Sequence, residues 1–321
     1  MMGLEFASLT RFQREYAPEG TLDEAHLLEL ASARPDPVEF TKSQPNAGLA
    51  LICRAFGIRG YSSCVHTACA SGGQAIGTAL KVIRRGAADR MLAGGFDSMV
   101  NPIGLASFCL LGALSTDNEA PARASRPFDR TRNGFVLGEG AGFLVLEEME
   151  AARRRGARIY AELAGEGNSL SAYRITDSHP SGDGPIQAMR EALRDGGIPL
   201  DEVDYLNAHG TSTVMNDRSE CAAVRAVFGP AAERLLVSST KSLMGHLIAA
   251  AGAVEAAVCA LAVRDGIAPP SANIRDQDPE CDLRFVVDRP VRSRVRAALS
   301  NSFGFGGSNS AILLCSPGDA P

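Results

Sequence analysis

The stretch Thr67–Gly86, TACASGGQAIGTALKVIRRG, decides how the rest of the chain is read. Ile76, Ala79, Leu80 and Ile83 recur at helical spacing, so a helix runs toward Gly86 and Cys69 falls at or near its start. The residues around that cysteine (Ala68, Ala70, Ser71, Gly72, Gly73) are all small. An isolated cysteine is most often a small buried hydrophobe. At a helix start, however, free backbone N–H groups and the positive helix end favour the thiolate, so the expectation here is a lowered thiol pKa. Small neighbours leave room for a thioester to approach, and the N–H groups can hold an oxyanion.

A second segment, GHLIAAAGAVEAAVCALAVRDG from Gly245 to Gly266, is built mostly of Ala, Val and Leu. Small apolar residues all round predict a helix buried on several sides, with no polar face. Each helix is followed by a Gly-rich turn entering an apolar strand: GEGAGFLVL (Gly138–Leu146) after the first and GGSNSAILL (Gly306–Leu314) after the second. The offsets between equivalent glycines, 168 from Gly138 to Gly306 and 180 from Gly86 to Gly266, are close enough to suggest two similarly built halves. The boundary falls near ARRRGARIY, giving halves 1–155 and 156–321. Alternating strand-like and helix-like segments give an α/β class. Upstream, TLDEAHLLELASAR from Thr21 reads as a helix opened by a Thr21/Glu24 capping box. Asn46–Phe56 reads as another helix, and Tyr61–His66 as a short strand.

The chain has 321 residues, 45% of them hydrophobic and 21% charged, which suits a globular protein with a substantial core. A formal net charge of −5 argues against a broad basic surface for nucleic acid, though local patches still permit an acidic protein partner. The eight cysteines form no CxxC pair and no zinc-type spacing with histidine. With no signal peptide and no long apolar run, the expectation is a cytoplasmic protein without a membrane partner.

Two of the five histidines sit in Gly-containing turns at the ends of core elements. His209 lies in NAHGTST after the apolar strand VDYL, and His246 lies in KSLMGH just before the buried helix. Side chains at such ends are placed where α/β sheets build their sites. Lys241 precedes His246 by five residues, and a lysine that points inward needs a carboxylate. Glu220 and Asp217, in MNDRSE, are the candidates. In NSFGFGGSN, Asn301–Asn309, the alternating Phe and Gly imply a tight turn with close backbone approach and a Phe that is able to move. A tight turn accounts for the glycines but not for the flanking Asn and Ser.

Taken in order, TACASG, NAHGTST, KSLMGH and NSFGFGGSN resemble the signature segments of elongating beta-ketoacyl-acyl-carrier-protein synthases of the thiolase-like superfamily. PFDRTRNGFVLGEGAG (Pro127–Gly142) is a fifth such stretch. The spacings of 140 residues from Cys69 to His209 and 177 to His246 also fit that family. The resemblance implies a layered αβαβα fold of two similar halves, acting in fatty-acid or polyketide synthesis by decarboxylative condensation with malonyl-ACP. It implies that Cys69 takes the acyl group, that His209 and His246 bind the malonyl thioester carbonyl and stabilise the enolate, and that Lys241 with Glu220 keeps the polar network ordered. Thr211 and Thr213 match positions that hydrogen-bond the phosphopantetheine arm. The N–H groups of Cys69 and Phe305 match an oxyanion hole, with Phe305 a gating residue and Phe303 beside the substrate. No metal or organic cofactor is implied; the substrates ride on acyl carrier protein.

Family members carry a longer segment before the cysteine, starting with a core strand, so the resemblance implies a first half incomplete at its N-terminus. A homodimer paired through Gly60–Thr67, or a partner chain completing the sheet, is then expected. Thiolases carry a second catalytic cysteine where this chain reads FGFGGSN, and acyl-CoA-using initiating synthases have Asn where His246 stands. Chain-length factors lose the nucleophile that Cys69 retains. The competing reading is a non-catalytic or partner-dependent subunit of a heteromeric synthase.

Overall fold

The computed structural model describes residues 38, 41, 44–177 and 179–318. The predicted helix from Thr21 lies outside the described residues. Elements in chain order are α1 (Ala47–Phe56), α2 (Ser71–Arg84), β1 (Arg90–Asp97), α3 (Pro102–Leu110), β2 (Gly140–Glu147), α4 (Met149–Arg154), β3 (Glu162–Leu170) and α5 (Asp183–Gly196). They continue as β4 (Val203–Asn207), α6 (Val214–Phe228), β5 (Leu236–Ser238), α7 (Lys241–Met244), α8 (Ala251–Asp265), β6 (Ile267–Ala268), β7 (Val291–Arg292), β8 (Ala297–Phe303) and β9 (Ser308–Cys315). The described residues divide into two compact units, one with residues 44–64 and 99–110, the other with residues 65–98, 111–177 and 179–318. The smaller unit holds α1, closed by Gly57 in the left-handed conformation, and α3.

The larger unit is layered. Its main sheet runs β3-β9-β8-β4-β5, with β3, β9 and β8 antiparallel and β8, β4 and β5 parallel. Strands β8 and β9 are buried along nearly their whole length, as central strands covered on both faces are. Helix α5 packs on one face of this sheet and α6 lies beside α5; α2 and α8 pack on the other. On their far side α2 and α8 meet a second, two-stranded antiparallel sheet, β1 with β2. The order is helices, sheet, helices, sheet: four of the five layers the family resemblance implies. Ala93, Met91, Leu144 and Leu146 turn inward, while Leu92, Phe96, Phe143 and Val145 leave an exposed apolar outer face, as strand alternation requires.

The internal repeat is visible in the backbone. Ala68 (φ 49°) opens a 3₁₀ turn, Ala68–Ala70, that feeds α2. Ile248 (φ 46°), 180 residues later, opens the 3₁₀ turn Ile248–Ala250 that feeds α8. Gly72 and Gly252 let the two helices touch backbone to backbone, since a Cβ on Gly72 would sit 2.7 Å from the Ala253 nitrogen. That crossing brings the Cys69 turn against the His246 turn. Residues 61–66 differ from the sequence reading: they form no strand pairing with any described residue. A strand needs a partner for its N–H and C=O groups, and the homodimer expected to pair through Gly60–Thr67 would supply one.

Candidate active site

Cys69 sits in the 3₁₀ turn ahead of α2, 2% exposed. Its Sγ lies 3.2 Å from His246 Nε2. The Nδ1 of the same ring accepts a hydrogen bond from the Ile248 N–H at 3.2 Å. That bond fixes the tautomer: a neutral His246 carries its proton on Nε2, pointed at the sulphur. Backbone N–H groups of Cys69 and Phe305 also donate to Sγ, so three donors converge on one atom. The close approach depends on Gly304, where a Cβ would lie 2.7 Å from Thr67 O and 3.2 Å from the Cys69 nitrogen.

Burial pushes the Cys69 thiol up to about 12, against the lowering pull of Lys241 and of the two N–H groups. This corrects the expectation of a lowered pKa. Desolvation of the thiolate outweighs the helix-start donors once the sulphur is out of water. The same burial, with Lys241's charge adding to it, holds both His209 and His246 well below the ordinary imidazole value. Both rings are therefore neutral at physiological pH. Their centroids are 5.2 Å apart and nearly perpendicular. Phe303 packs edge-on against His209 and Phe135 against His246. His209 Nδ1 is buried with no hydrogen-bond partner among the described residues.

Lys241, 1% exposed, does need a carboxylate, but the partner is Glu255 rather than Glu220 or Asp217. Nζ reaches Glu255 Oε1 at 2.5 Å from inside the Ala-rich α8. Burial raises the Glu255 carboxyl to about 7, although Lys241's ammonium lowers it. Glu220 instead accepts from the backbone N–H of His209 (2.9 Å) and Gly210 (2.8 Å) and from Asn301 Nδ2 (3.0 Å). Its carboxyl is likewise raised by burial to about 7. Glu220 thus holds the turn that aims His209. Asp217 belongs to a different buried cluster, paired with Arg132 Nε at 3.0 Å. Arg132 also donates to the carbonyls of Thr213 and Val214, clamping the opposite side of the NAHGTST turn.

Thr211 and Thr213, joined Oγ1 to Oγ1 at 2.8 Å, line a cleft of about 330 Å³ together with Cys69, His209, His246 and Phe303. Phe305 lines it too, on a turn whose Gly306 takes a positive φ of 83°. The flanking Asn residues of that motif now have reasons: Asn301 supports Glu220, and Asn309 Nδ2 ties Gly307 O and Ser171 Oγ. The structure therefore gathers Cys69, His209, His246, Thr211, Thr213, Phe303 and Phe305 at one cleft with Lys241 and Glu220 behind it, and leaves Asp217 in a separate cluster. It adds Glu255, Asn301, Arg132 and Phe135; Asn301 stood out as an unexplained polar residue beside the FGFG turn, Arg132 and Phe135 lie in the stretch Pro127–Gly142 without being singled out, and Glu255 carried no signal.

The arrangement suits a sulphur nucleophile whose acyl product would lie against two backbone N–H groups, with two neutral imidazoles able to donate to a second oxygen. Residues 11–152 match the model of the beta-ketoacyl synthase N-terminal domain, and residues 160–275 that of the beta-ketoacyl synthase C-terminal domain. The chain is 44% identical over 269 residues to 3-oxoacyl-(acyl-carrier-protein) synthase 2 of Coxiella burnetii, covering 84% of this chain and 65% of the relative. It is 42% identical over 288 residues to the protein of the same name from Synechocystis, covering 90% of this chain and 69% of the relative. Among solved structures, a type II polyketide ketosynthase in complex with its acyl-carrier protein superposes with a TM-score of 0.86 at 36% identity, covering 88% of this chain and 69% of that one. The chain thus spans just under two thirds of the length of the Coxiella relative, and it belongs to the beta-ketoacyl synthase family.

Proposed function

We propose that this chain is a beta-ketoacyl-acyl-carrier-protein synthase that joins a Cys69-bound acyl group to a malonyl unit with loss of CO2. The supporting observation is the convergence on Cys69 Sγ of the N–H groups of Cys69 and Phe305 and of His246 Nε2, with His209 alongside. In the first half-reaction Sγ attacks the thioester of acyl-ACP. The new thioester forms as the carbon–sulphur bond to pantetheine breaks, and the thiol proton leaves with the pantetheine sulphur. In the second, the malonyl thioester oxygen lies within reach of the two imidazole N–H groups. Loss of CO2 places negative charge on that oxygen, and the resulting carbon nucleophile attacks the acyl carbonyl on Cys69. The new carbon–carbon bond forms as the bond from the acyl carbon to Sγ breaks, and Sγ leaves as a thiolate that takes a proton from solvent to restore the Cys69 thiol. Each donor is worth about 3 kcal/mol, by the magnitude seen when one oxyanion donor is removed. Thr211 and Thr213, which line the same cleft, would meet the phosphopantetheine arm there.

The chemistry as written calls for no metal or organic cofactor. A cytoplasmic setting with acyl carrier protein as partner accords with it, and none of the described helices is long and apolar enough to cross a membrane. We place a homodimer in the same reading. A second reading, a subunit that depends on a partner chain, is favoured by the exposed outer face of β1 and β2, where Leu92, Phe96, Phe143 and Val145 stand uncovered within their unit. The half-reactions test the main reading. Cys69→Ala should lose acyl transfer and keep malonyl-ACP decarboxylation, whereas His246→Ala should lose decarboxylation and keep acylation of Cys69. Loss of acylation alone in His246→Ala would overturn the assignment of His246.

A further inference from the structure

We propose that Cys69, His209 and His246 also form a binding site for a thiophilic divalent cation of the zinc type, and that the ion competes with the acyl group for the sulphur. The competition rests on the function proposed above; the ion site itself does not.

One ligating atom from each of the three residues lies within 4.8 Å of the other two. The 3.2 Å between Sγ and Nε2 of His246 is near the separation of about 3.5 Å that two ligands have on a tetrahedral zinc with bonds of about 2.3 Å to sulphur and 2.0 Å to nitrogen. The donor set is one sulphur and two imidazoles with no carboxylate among them, which selects zinc-like ions over magnesium or calcium. A neutral imidazole offers one unprotonated ring nitrogen to a metal, and each of the two rings brings one nitrogen into the cluster. His209 adds an independent sign: its Nδ1 is buried and unpartnered among the described residues, so no hydrogen bond to that atom fixes its tautomer. The fourth coordination position would face the cleft, leaving it to a water molecule, as in zinc sites that keep an open position.

Two features limit the affinity. His246 binds through Nε2 only after its proton moves to Nδ1, which forfeits the bond from the Ile248 N–H. Lys241's charge acts on all three donors and repels a cation, though Glu255 offsets it. The step is an exchange without redox change: the S–H bond of Cys69 breaks, a sulphur–metal bond forms, and the proton passes to buffer.

Cobalt(II) added to the intact chain serves as the spectroscopic probe. The expected result is a sulphur-to-cobalt charge-transfer band with tetrahedral d–d bands, both erased by one equivalent of Zn2+. Cys69→Ala should lose the charge-transfer band, and His209→Ala and His246→Ala should each weaken cobalt binding at least tenfold. Cys69→Ser keeps the size of the side chain and guards against loss through misfolding; it too should lose the band, with an unchanged far-UV circular dichroism spectrum. No charge-transfer band in the unaltered chain, or a band that survives in Cys69→Ser, overturns the proposal. Metal-free acylation by acyl-ACP separates the two readings. Acylation without a cobalt band removes the ion site alone, and a cobalt band without acylation removes the proposed function alone.

Discussion

Replacing Glu255 by Gln tests whether the Lys241–Glu255 pair holds the layer behind the site together. Both side chains are at most 1% exposed and meet at 2.5 Å, so the change leaves an ammonium in the interior opposite a neutral amide. Removing one partner of a buried pair costs about 3–5 kcal/mol, because the remaining charge is uncompensated. The Gln carbonyl still accepts from Nζ, which places the expectation near the lower end, about 3 kcal/mol. With a urea dependence of about 3 kcal/mol per molar for a chain of this size, the unfolding midpoint should fall by about 1 M. The double variant Lys241→Met/Glu255→Leu removes both charges at similar volume and should recover most of that loss, giving a coupling of about 3 kcal/mol in the double-mutant cycle. Equilibrium urea unfolding at about pH 8.5, above the raised Glu255 value of about 7 so that the carboxylate is charged in the parent, followed by circular dichroism reads all four proteins. A midpoint for Glu255→Gln within experimental error of the parent, or a double variant as unstable as the sum of its parts, would refute the pairing.

Other predictions follow from the same geometry. Glu220's carboxyl is raised from 4.5 to about 7 by burial, so the folded state holds its proton more tightly than the unfolded state. Its contribution is complete below about pH 4.5 and is lost as pH climbs through about 7, a swing of about 3 kcal/mol. Glu220→Gln should flatten stability between pH 5 and pH 8, and an unchanged slope in urea midpoints would contradict this. Burial chiefly depresses both imidazoles and Lys241's charge adds to it, so Lys241→Met should move their pKa values and the acidic limb of the condensation profile part of the way to higher pH; a stationary limb would count against it. Thr213→Val breaks the 2.8 Å hydroxyl pair at the cleft wall and should raise KM for carrier-bound substrate about tenfold, with kcat little changed, if one hydrogen bond of about 1.4 kcal/mol is lost. Gly72→Ala drives a methyl to 2.7 Å from the Ala253 nitrogen and should destabilise the chain by about 1–3 kcal/mol in the same unfolding assay.

Much of this was legible in the sequence because it is local. The small residues around Cys69, the 180-residue recurrence of turn and helix, and the Gly-rich entries to β2 and β9 are written in consecutive residues. What was not legible depends on contacts between distant segments. Lys241 was rightly expected to need a carboxylate, yet its partner is a single Glu in a helix otherwise apolar all round, and only the packing of α8 shows where that Glu points. Arg132 reads as one of several charges in PFDRTRN, and nothing in its neighbours says that it lies fully buried between Asp217 and Asp278. The sequence points the wrong way on the thiol pKa because helix-start donors are visible in it, while the depth of burial that outweighs them is not. Residues 61–66 look like a strand by composition, but pairing is a property of the fold and no described residue supplies it.

Whether Cys69 carries the acyl group is the most direct test of the account. The chain incubated with acyl-ACP and digested at low pH should yield one modified peptide, with the acyl mass on Cys69 and none on the other seven cysteines. Prior replacement of Cys69 by Ala should abolish that mass. Acylation of Cys64 or Cys109, both exposed, with Cys69 unmodified would contradict the assignment of the nucleophile and the mechanism built on it.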